Sequence, residues 1–490
     1  MPILSFGEYR PDVSDYQGQH SRTVLNVVPR GDGYGPFFDF VAFTGALPAA
    51  CRGYFYARKS DGSISVFAGT VTKLYNLNNT DGSWTDVSKS GASYPVLSGF
   101  AQWQFAQFNN FVIAVQANVP VQVFDLAIPG GTFADLPGLP PQAAYVTVVN
   151  RFLVLSGMAS PNVYRVQWSG LNDTTQWTPG VNQSDFQDLA DGGMVRGVAG
   201  GEFGMIFQDG SIRRMTFSPG SPYVFGIQRI SQDDGLFAPY SLVSAADRIF
   251  FCSPQGFKML LPGANPVPIG KERVDATFFA ELDAASVQLF VGANDPRSTR
   301  VYWAYKSTTG VAGRFDKILI YDWALDRWSK VSITGEYIAS LSQPGVTLEA
   351  VDTVYGSNID ALPLSSLDDI SNAALAKLSA IGASHSMGFF TGASLESIVD
   401  TAEQGGDGRR LFVRGFRPVT DAATVYGSIL SRETAQAPPV TSAESLVDAI
   451  GSCPQRVSTR YARGRVRIPA GTAWTFAAGI EPDVAQEGGR

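Results

Sequence analysis

The sequence predicts a mainly β fold, consisting of a β-propeller of about six blades and a second β-rich domain with one or two short helices. Three observations predict it: a recurring unit of strand, turn and aromatic residue, short apolar runs separated by turn residues, and the composition. Of the 490 residues, 51 are glycine and 29 are proline, which supply turns, and 12% are aromatic, which fill blade cores. A propeller of about 300 residues leaves room for one or two smaller units.

The repeated unit is clearest at residues 317–331, KILIYDWALDRWSKV, where an apolar strand is followed by an aspartate-containing turn and a tryptophan. Weaker copies recur upstream at steps of 42 to 61 residues. We call the position of this tryptophan, after the turn, the closing position of the unit. In the six copies it is occupied by Trp84, Phe133, Trp177, Phe225, Val267 and Trp328. This period is typical of a propeller, because each unit is one small antiparallel sheet that buries its faces against its neighbours. We therefore expect the three tryptophans to be buried in blade cores.

Residues 1–50 do not repeat, and we interpret them as an extended N-terminal arm. The segment is dense in glycine, proline and aspartate, so it cannot bury enough apolar surface to fold alone. It also contains the aromatic residues Tyr16, Tyr34, Phe37, Phe38 and Phe40. A disordered leader is the alternative interpretation, but solvated tails are poor in aromatic residues. The arm is expected to lie on other structure.

Residues 51–340 are predicted to form the propeller. Apolar runs of about four to eight residues alternate there with hairpin turns such as Asp61-Gly62 and Asp209-Gly210. No run of helical periodicity interrupts these strands, which excludes βαβ units.

Residues 341–490 are predicted to form a β-rich platform domain with arginine-rich strands. Residues 362–384 have apolar side chains at helical spacing, which predicts a first helix. The residues on its apolar face are Ile370, Ala374, Leu378 and Ile381. Residues 442–450 predict a second helix, because Thr441 and Glu444 have the spacing of a capping box.

Arginine is the only basic residue type near the C-terminus. From residue 409 onward the chain has eleven arginines, no lysine and seven acidic residues. The candidate interface with a subunit or partner comprises Arg409, Arg410, Arg414, Arg417, Arg460, Arg463, Arg465 and Arg467. Three interpretations stay open: salt bridges between subunits, contact with a partner protein or DNA, and ordinary surface. The planar guanidinium group favours specific pairing with carboxylates over loose attraction to phosphates.

No set of residues points to catalysis, a cofactor or a metal. The two histidines, His20 and His385, have no partner at the spacing of a metal site or a catalytic triad. Three widely spaced cysteines form neither a disulfide framework nor a zinc site. The net charge of −7 does not suggest tightly held nucleic acid, and no stretch has the length of a membrane span or the pattern of a cleaved signal. We expect a protein that is not an enzyme and needs no cofactor.

Five segments carry a resemblance to a known family. They are NVVPRGDGYGPFFDF, YDWALDRWS, MGFFTGASLESIVDTAE, RRLFVRGFRPVTDA and CPQRVSTRYARGRVRIPAGTAWTFAAGIEPD. Together they resemble the tail-nozzle proteins of short-tailed bacteriophages, also called tail-hub or packaged-DNA stabilisation proteins. The resemblance implies a hexameric ring below the portal and adaptor rings, in which a propeller and a β-rich domain line a channel for the ejected genome. It also implies contacts with other tail proteins, transient passage of double-stranded DNA, a location in the virion tail after synthesis in the host cytoplasm, and no catalytic residues.

Two other classes of function stay open. A carbohydrate-binding propeller adhesin would use exposed aromatic residues near Trp168 and Trp303. A propeller glycoside hydrolase would need an acidic pair, for which residues 233–234 and 368–369 offer adjacent aspartates. Adjacent acids more often mark turns and helix starts than a glycosidase site.

Overall fold

A computed structural model of the chain describes residues 3–14, 18–97, 99, 101–261, 263–342, 376–405 and 409–487. Across these residues the fold is mainly β, as predicted, and consists of a propeller and a two-sheet β-sandwich. Tyr16 and the predicted helical residues 362–375 lie outside the described residues.

The N-terminal segment supplies strands to several sheets. These strands are β1 (Leu4–Ser5), β2 (Val24–Leu25), β3 (Val27–Arg30), β4 (Gly33–Pro36) and β5 (Phe38–Ala46). β1, β3 and β4 join the sandwich, β2 bridges the sandwich and the propeller, and β5 is the outer strand of a blade. Tyr34 and Phe37 are buried against the rest of the chain, so aromatic residues anchor this segment.

The propeller begins with three blades, each of four consecutive antiparallel strands. Blade 1 comprises β6 (Tyr54–Arg58), β7 (Ile64–Gly69), β8 (Leu74–Leu77) and β9 (Trp84–Asp86). Blade 2 comprises β10 (Gln104–Phe108), β11 (Phe111–Val115), β12 (Gln122–Asp125) and β13 (Ala134–Asp135). Blade 3 comprises β14 (Tyr145–Val149), β15 (Phe152–Ser156), β16 (Arg165–Trp168) and β17 (Asp185–Asp188). Gly62 and Asn109 have φ angles of 84° and 52°, as tight hairpin turns require.

Blades 4 to 6 follow the same order. Blade 4 comprises β18 (Val195–Ala199), β19 (Gly204–Gln208), β20 (Ile212–Phe217) and β21 (Phe225–Ser231). Blade 5 comprises β22 (Val243–Ala245), β23 (Arg248–Ser253), β24 (Gly256–Leu260) and β25 (Val267–Pro268). Blade 6 comprises β26 (Val291–Asp295), β27 (Arg300–Tyr305), β28 (Lys317–Asp322) and β29 (Arg327–Val331). Short 3₁₀ helices lie at Lys89–Gly91, Ala190–Gly192, Pro239–Ser241 and Ala284–Leu289.

One α-helix, α1 (Asp275–Glu281), interrupts the propeller between blades 5 and 6 within the described residues. Sequence periodicity does not predict it, because seven residues are too few to show a period. Its N-terminus is capped by Asp12, whose carboxylate accepts hydrogen bonds of 2.8 Å from the backbone amides of Ala276 and Thr277. The capping residue therefore comes from the N-terminal segment, far away in the sequence.

Blade 7 closes the ring with strands from both ends of the propeller sequence. Its strands are β30 (Gly335–Leu341), β31 (Lys377–Gly382), β32 (Ser386–Ser394) and then β5. Its inner strand joins blade 1, where the Ala339 amide donates to the Tyr54 hydroxyl at 2.8 Å. The described propeller thus has seven blades rather than about six, and it crosses the boundaries drawn at residues 50 and 340. Repeat counting misses the seventh blade because its outer strand precedes all the others in the sequence.

The remaining strands form the sandwich together with those of the N-terminal segment. They are β33 (Ser397–Asp400), β34 (Gln404–Gly405), β35 (Arg410–Thr420), β36 (Tyr426–Arg432), β37 (Val440–Thr441), β38 (Ser445–Leu446), β39 (Cys453–Thr459), β40 (Tyr461–Ile468) and β41 (Ala477–Glu487). The first sheet has the order β3-β4-β41-β35-β39, with β1 beside β41. The second has the order β2-β33-β40-β36-β37, with β34 beside β40 and β38 beside β36.

β2 joins the sandwich to the propeller. It pairs in parallel with β29 of blade 6 through Leu25 and Lys330, and antiparallel with β33 through Val24 and Val399. Blade 6 and the second sandwich sheet are consequently one hydrogen-bonded sheet. One cluster of buried apolar side chains also runs from blades 5 and 6 into the sandwich, so the two units share a core.

The closing positions of the repeat are mostly buried, as predicted. Trp177 and Trp328 are at most 3% exposed, and Phe133 and Phe225 are buried as well. The prediction is wrong for Trp84, which is only half-buried and donates its indole N–H to the Gly45 carbonyl of β5 at 3.0 Å. Val267, the one aliphatic closing residue, is exposed on a two-residue edge strand.

The two predicted helices need correction. Leu378 and Ile381, expected on a helix, lie on strand β31, where Leu378 packs with residues of blade 6 and Ile381 with residues of blade 1. Residues 442–450 hold no helix but the short strand β38 and a turn. The expected cap fails because the Glu444 carboxylate binds Arg467, while Asp448 accepts backbone hydrogen bonds that fix the turn.

Candidate functional site

Strand β40 carries three of the eight candidate arginines on one face of the sandwich. Its inward residues pack in the core, and at Gly464 an added Cβ would lie 2.4 Å from the end of the Ile480 side chain, which would have to move. Its outward residues are Arg463, Arg465 and Arg467. The alternation in the sequence therefore predicts their shared face correctly.

Arg465 is bound by a buried carboxylate of the same domain. Its guanidinium donates two hydrogen bonds to Asp400, of 2.6 Å and 2.9 Å. Asp400 is fully buried and lies directly opposite Arg465 in the pairing of β33 with β40. The hydrogen bond raises the pKa of Arg465. A bidentate pair of this kind fixes the two strands relative to each other.

Glu403 lies between two further arginines. Arg432 donates to one carboxylate oxygen at 2.5 Å, and Arg463 donates to the other at 3.5 Å. All three side chains are at most 11% exposed. Removal of the shared carboxylate would leave two buried positive charges close together, so Glu403 stabilises this end of the strand.

Arg467, the third outward arginine of β40, binds two carboxylates and lies over an aromatic ring. It donates to Glu444 at 2.7 Å and to Glu396 at 3.0 Å, and it lies over the Tyr426 ring at 4.3 Å from the centroid. The hydrogen bond from Arg467 lowers the pKa of Glu444. All three outward arginines of β40 are thus engaged by carboxylates of their own chain.

The β40 row faces the junction between the sandwich and the rest of the chain. Arg463 and Arg465 line a cleft of about 580 Å³. Its other walls include Pro11 and Arg22 of the N-terminal segment and Thr277 of helix α1.

The first sheet carries the remaining candidates on or next to β35. Arg410 donates to the Ser458 carbonyl at 3.1 Å and to Glu433 at 2.8 Å. Arg409 is exposed at the start of this strand, and Arg460 is half-buried in the turn between β39 and β40.

Arg414 and Arg417 differ from the β40 row. Both are exposed on β35, and within the described part of the chain neither forms a hydrogen bond or an ion pair. Arg417 lies opposite Glu481 of β41 in the strand register, without an ion pair between them. Among the exposed candidates of the described chain, these two arginines keep their donors available.

A groove of about 850 Å³ crosses this outer face between β39 and residues 442–445. Arg414 lines it together with Arg456, which sequence reasoning misses. The available signal is the segment CPQRVST, where Arg456 alternates with the inward residues Gln455 and Val457 of an edge strand. Sequence reasoning also misses Asp400, because its pairing with Arg465 spans 65 residues.

The propeller encloses a small central cavity of about 230 Å³. It is lined mainly by the inner strands and carries the hydroxyl and amide groups of Gln104, Thr147, Tyr240, Ser244 and Tyr337. Acidic and basic side chains do not occur among its described lining residues.

Neither histidine lies in this cavity. His20 is buried against the N-terminal segment, where an added Cβ at Gly18 would clash with its ring. His385 Nδ1 lies 2.6 Å from the buried carboxylate of Glu336, which also accepts a hydrogen bond from the Cys51 amide. This contact ties blade 7 to the start of blade 1. In the described ranges, no group of three His, Cys, Asp or Glu residues could hold a metal ion.

The residues considered for the two alternative functions have structural contacts. Trp168 and Trp303 are themselves buried in the blades, whereas Tyr164, four residues before Trp168, is 36% exposed. Asp234 forms an ion pair with Lys258. Residues 368–369 lie outside the described residues. No helix of the described chain is long and apolar enough to cross a membrane.

No protein-family model matches the chain, and no curated protein matches it. Among solved structures, the chain is similar to YCF48 bound to a D1 peptide, with 13% identity, coverage of 62% of this chain and 92% of that chain, and a TM-score of 0.37. It is similar to the β-propeller domain of Cps50 (Swd1) from Myceliophteria thermophila, with 9% identity, coverage of 55% and 96%, and a TM-score of 0.32. It is also similar to PorZ of Porphyromonas gingivalis, with 11% identity, coverage of 74% and 44%, and a TM-score of 0.33.

Proposed function

We propose that this chain is a structural subunit of a virus particle, the tail nozzle or hub of a short-tailed bacteriophage. In this proposal several copies, six by the family resemblance, form a ring below the portal and adaptor. The ring retains packaged DNA and conducts it during ejection. The subunit is made in the host cytoplasm and resides in the virion tail, and its role involves no chemical step.

The observation that carries the proposal is the fusion of propeller and sandwich into one body. β2 makes blade 6 and a sandwich sheet continuous, and the two units share an apolar core. A ring that holds back a genome must pass force from one subunit to the next without internal hinging. A subunit whose two units are joined by a sheet and a core suits that role.

The proposed DNA path is the lumen of the ring and not the channel of a propeller. The cavity between the inner strands, about 230 Å³, is far too small for a duplex. The distribution of charge along the chain also supports the lumen of the ring as the DNA path. Residues 409–490 carry eleven arginines and seven acids, a net charge of +4, so the preceding 408 residues carry −11 of the total of −7. An acidic wall binds phosphates weakly and lets DNA slide.

The test is the mass of the purified protein, alone and mixed with portal complexes, together with negative-stain images. We expect a multiple of the 52.5 kDa chain mass and ring-shaped particles. A chain that stays monomeric under both conditions contradicts the proposal. Binding of that monomer to a glycan array would favour an adhesin, and turnover of model glycosides would favour a hydrolase.

A further inference from the structure

The groove on the outer face of the sandwich combines positive charge with an apolar floor. Arg414 and Arg456 are both exposed at its edge, and in the described residues neither has a hydrogen-bonding or ionic partner. Phe412, Pro454 and Val457 line the groove between them. An arginine beside apolar surface is the combination enriched in protein interfaces, because its planar group stacks and also pairs with carboxylates.

The groove has no spare negative charge of its own. Glu444 is the one carboxylate among its lining residues, and three hydrogen bonds hold it to Arg467. Its pKa is lowered by that arginine, so it stays ionised and paired at neutral pH. The charges of Arg414 and Arg456 are therefore left for a ligand from outside.

The segment that supplies residues 442–445 of the groove lining also has exposed apolar side chains on either side of them. Val440, Leu446 and Ile450 are 68%, 50% and 72% exposed within one short stretch. Clusters of exposed apolar residues next to arginines are typical of docking surfaces.

We propose that this groove binds an acidic surface of a second copy of the chain and is a contact between neighbouring subunits. The inference rests on the proposed function, since it names the surface by which the ring assembles. Charge complementarity selects the occupant: residues 409–490 have a net charge of +4 and residues 1–408 have −11, so head-to-tail association brings unlike charges together. A head-to-tail contact is also the kind that generates rings.

The experiment compares two double variants with equal change in net charge. Arg414→Glu with Arg456→Glu reverses the groove. Arg151→Glu with Lys271→Glu reverses two exposed propeller residues that likewise have no side-chain partner in the described chain. Sedimentation equilibrium at low and high salt measures the subunit dissociation constant. We expect the groove variant to raise it by at least about tenfold at low salt and by less at high salt, with the control close to wild type.

Thermal unfolding checks that both variants remain folded, which we expect because all four side chains are exposed. The more conservative Arg414→Gln with Arg456→Gln should weaken association by a smaller factor. Equal association of the groove variant and wild type overturns the inference, as does equal weakening in the control. Normal association combined with lost affinity for duplex DNA overturns it too and assigns the groove to nucleic acid. If the wild-type chain does not associate at all, the proposed function itself is contradicted.

Discussion

The two faces of the sandwich both present arginines on a long strand but use them differently. On β40, Arg463, Arg465 and Arg467 are each engaged by carboxylates of neighbouring strands. On β35, Arg414 and Arg417 point to solvent without such partners in the described chain. Alternation along a strand therefore identifies a shared face but not its role. The role depends on what the adjacent strands place opposite.

The largest difference is expected from charge reversal. Arg463→Glu with Arg465→Glu would put two new carboxylates beside Asp400 and Glu403 in a nearly buried site. We expect the sandwich to unfold, because buried like charges are strongly destabilising. Far-UV circular dichroism and limited proteolysis measure this, and Arg414→Glu with Arg417→Glu is the matched control. If both pairs behaved alike, the contrast between the faces would fail.

Removal of one buried partner should have the next largest effect. Asp400→Asn removes the charge opposite Arg465 and should lower the free energy of unfolding by about 3 kcal/mol. Asp483→Asn, at an exposed position of β41, should change it by less than about 0.5 kcal/mol. Urea denaturation distinguishes the two. A loss under about 1 kcal/mol for Asp400→Asn would show that the pair is dispensable.

Arg467 offers a smaller effect that depends on pH. The folded-state pKa of Glu444 is lowered by Arg467, so this pair stabilises the fold above the unfolded-state pKa of about 4.3 and stops doing so as pH falls through the lower folded value. Arg467→Ala should therefore lose less stability than wild type on acidification from about pH 5 to pH 3. Denaturation at several pH values measures it. If Arg467→Ala and wild type lost the same stability over this pH range, the role of this pair would be contradicted.

The smallest effect is expected at Arg417. Arg417→Ala removes an exposed side chain that has no ion pair in the described chain, so its stability should stay within about 0.5 kcal/mol of wild type. Thermal unfolding is the measurement. A larger loss would reveal an attraction between Arg417 and Glu481 across the strands and would make the two faces more alike.

Local patterns were sufficient for much of the fold. The unit around Trp328 predicts a blade because strand, turn and closing residue lie within fifteen residues, 317–331, and the ring could be inferred from its recurrence. Blade 7 could not be found in this way, because β5 and its neighbour β32 lie at distant places in the chain. Trp84 shows the same limit, since its burial depends on β5 rather than on its own unit.

For the candidate site, too, local patterns predict one part and not the other. The shared face of Arg463, Arg465 and Arg467 follows from strand geometry alone. Their carboxylate partners do not, because Asp400 lies 65 residues from Arg465 and only the pairing of β33 with β40 brings them together. The wrong helix prediction at residues 442–450 has the same cause, since local spacing predicts that Glu444 caps a helix whereas in the fold Arg467 binds it.

Strand β5 has a consequence for how the protein is made. Its pairing partner, β32, begins 340 residues after β5 ends, so β5 leaves the ribosome long before β32 does. At about 5 to 20 residues per second, Phe38, Phe40 and Val41 wait roughly 20 to 70 seconds for their neighbour strand. The nascent chain therefore carries an apolar strand with two open edges until β32 emerges, and the propeller cannot close before then.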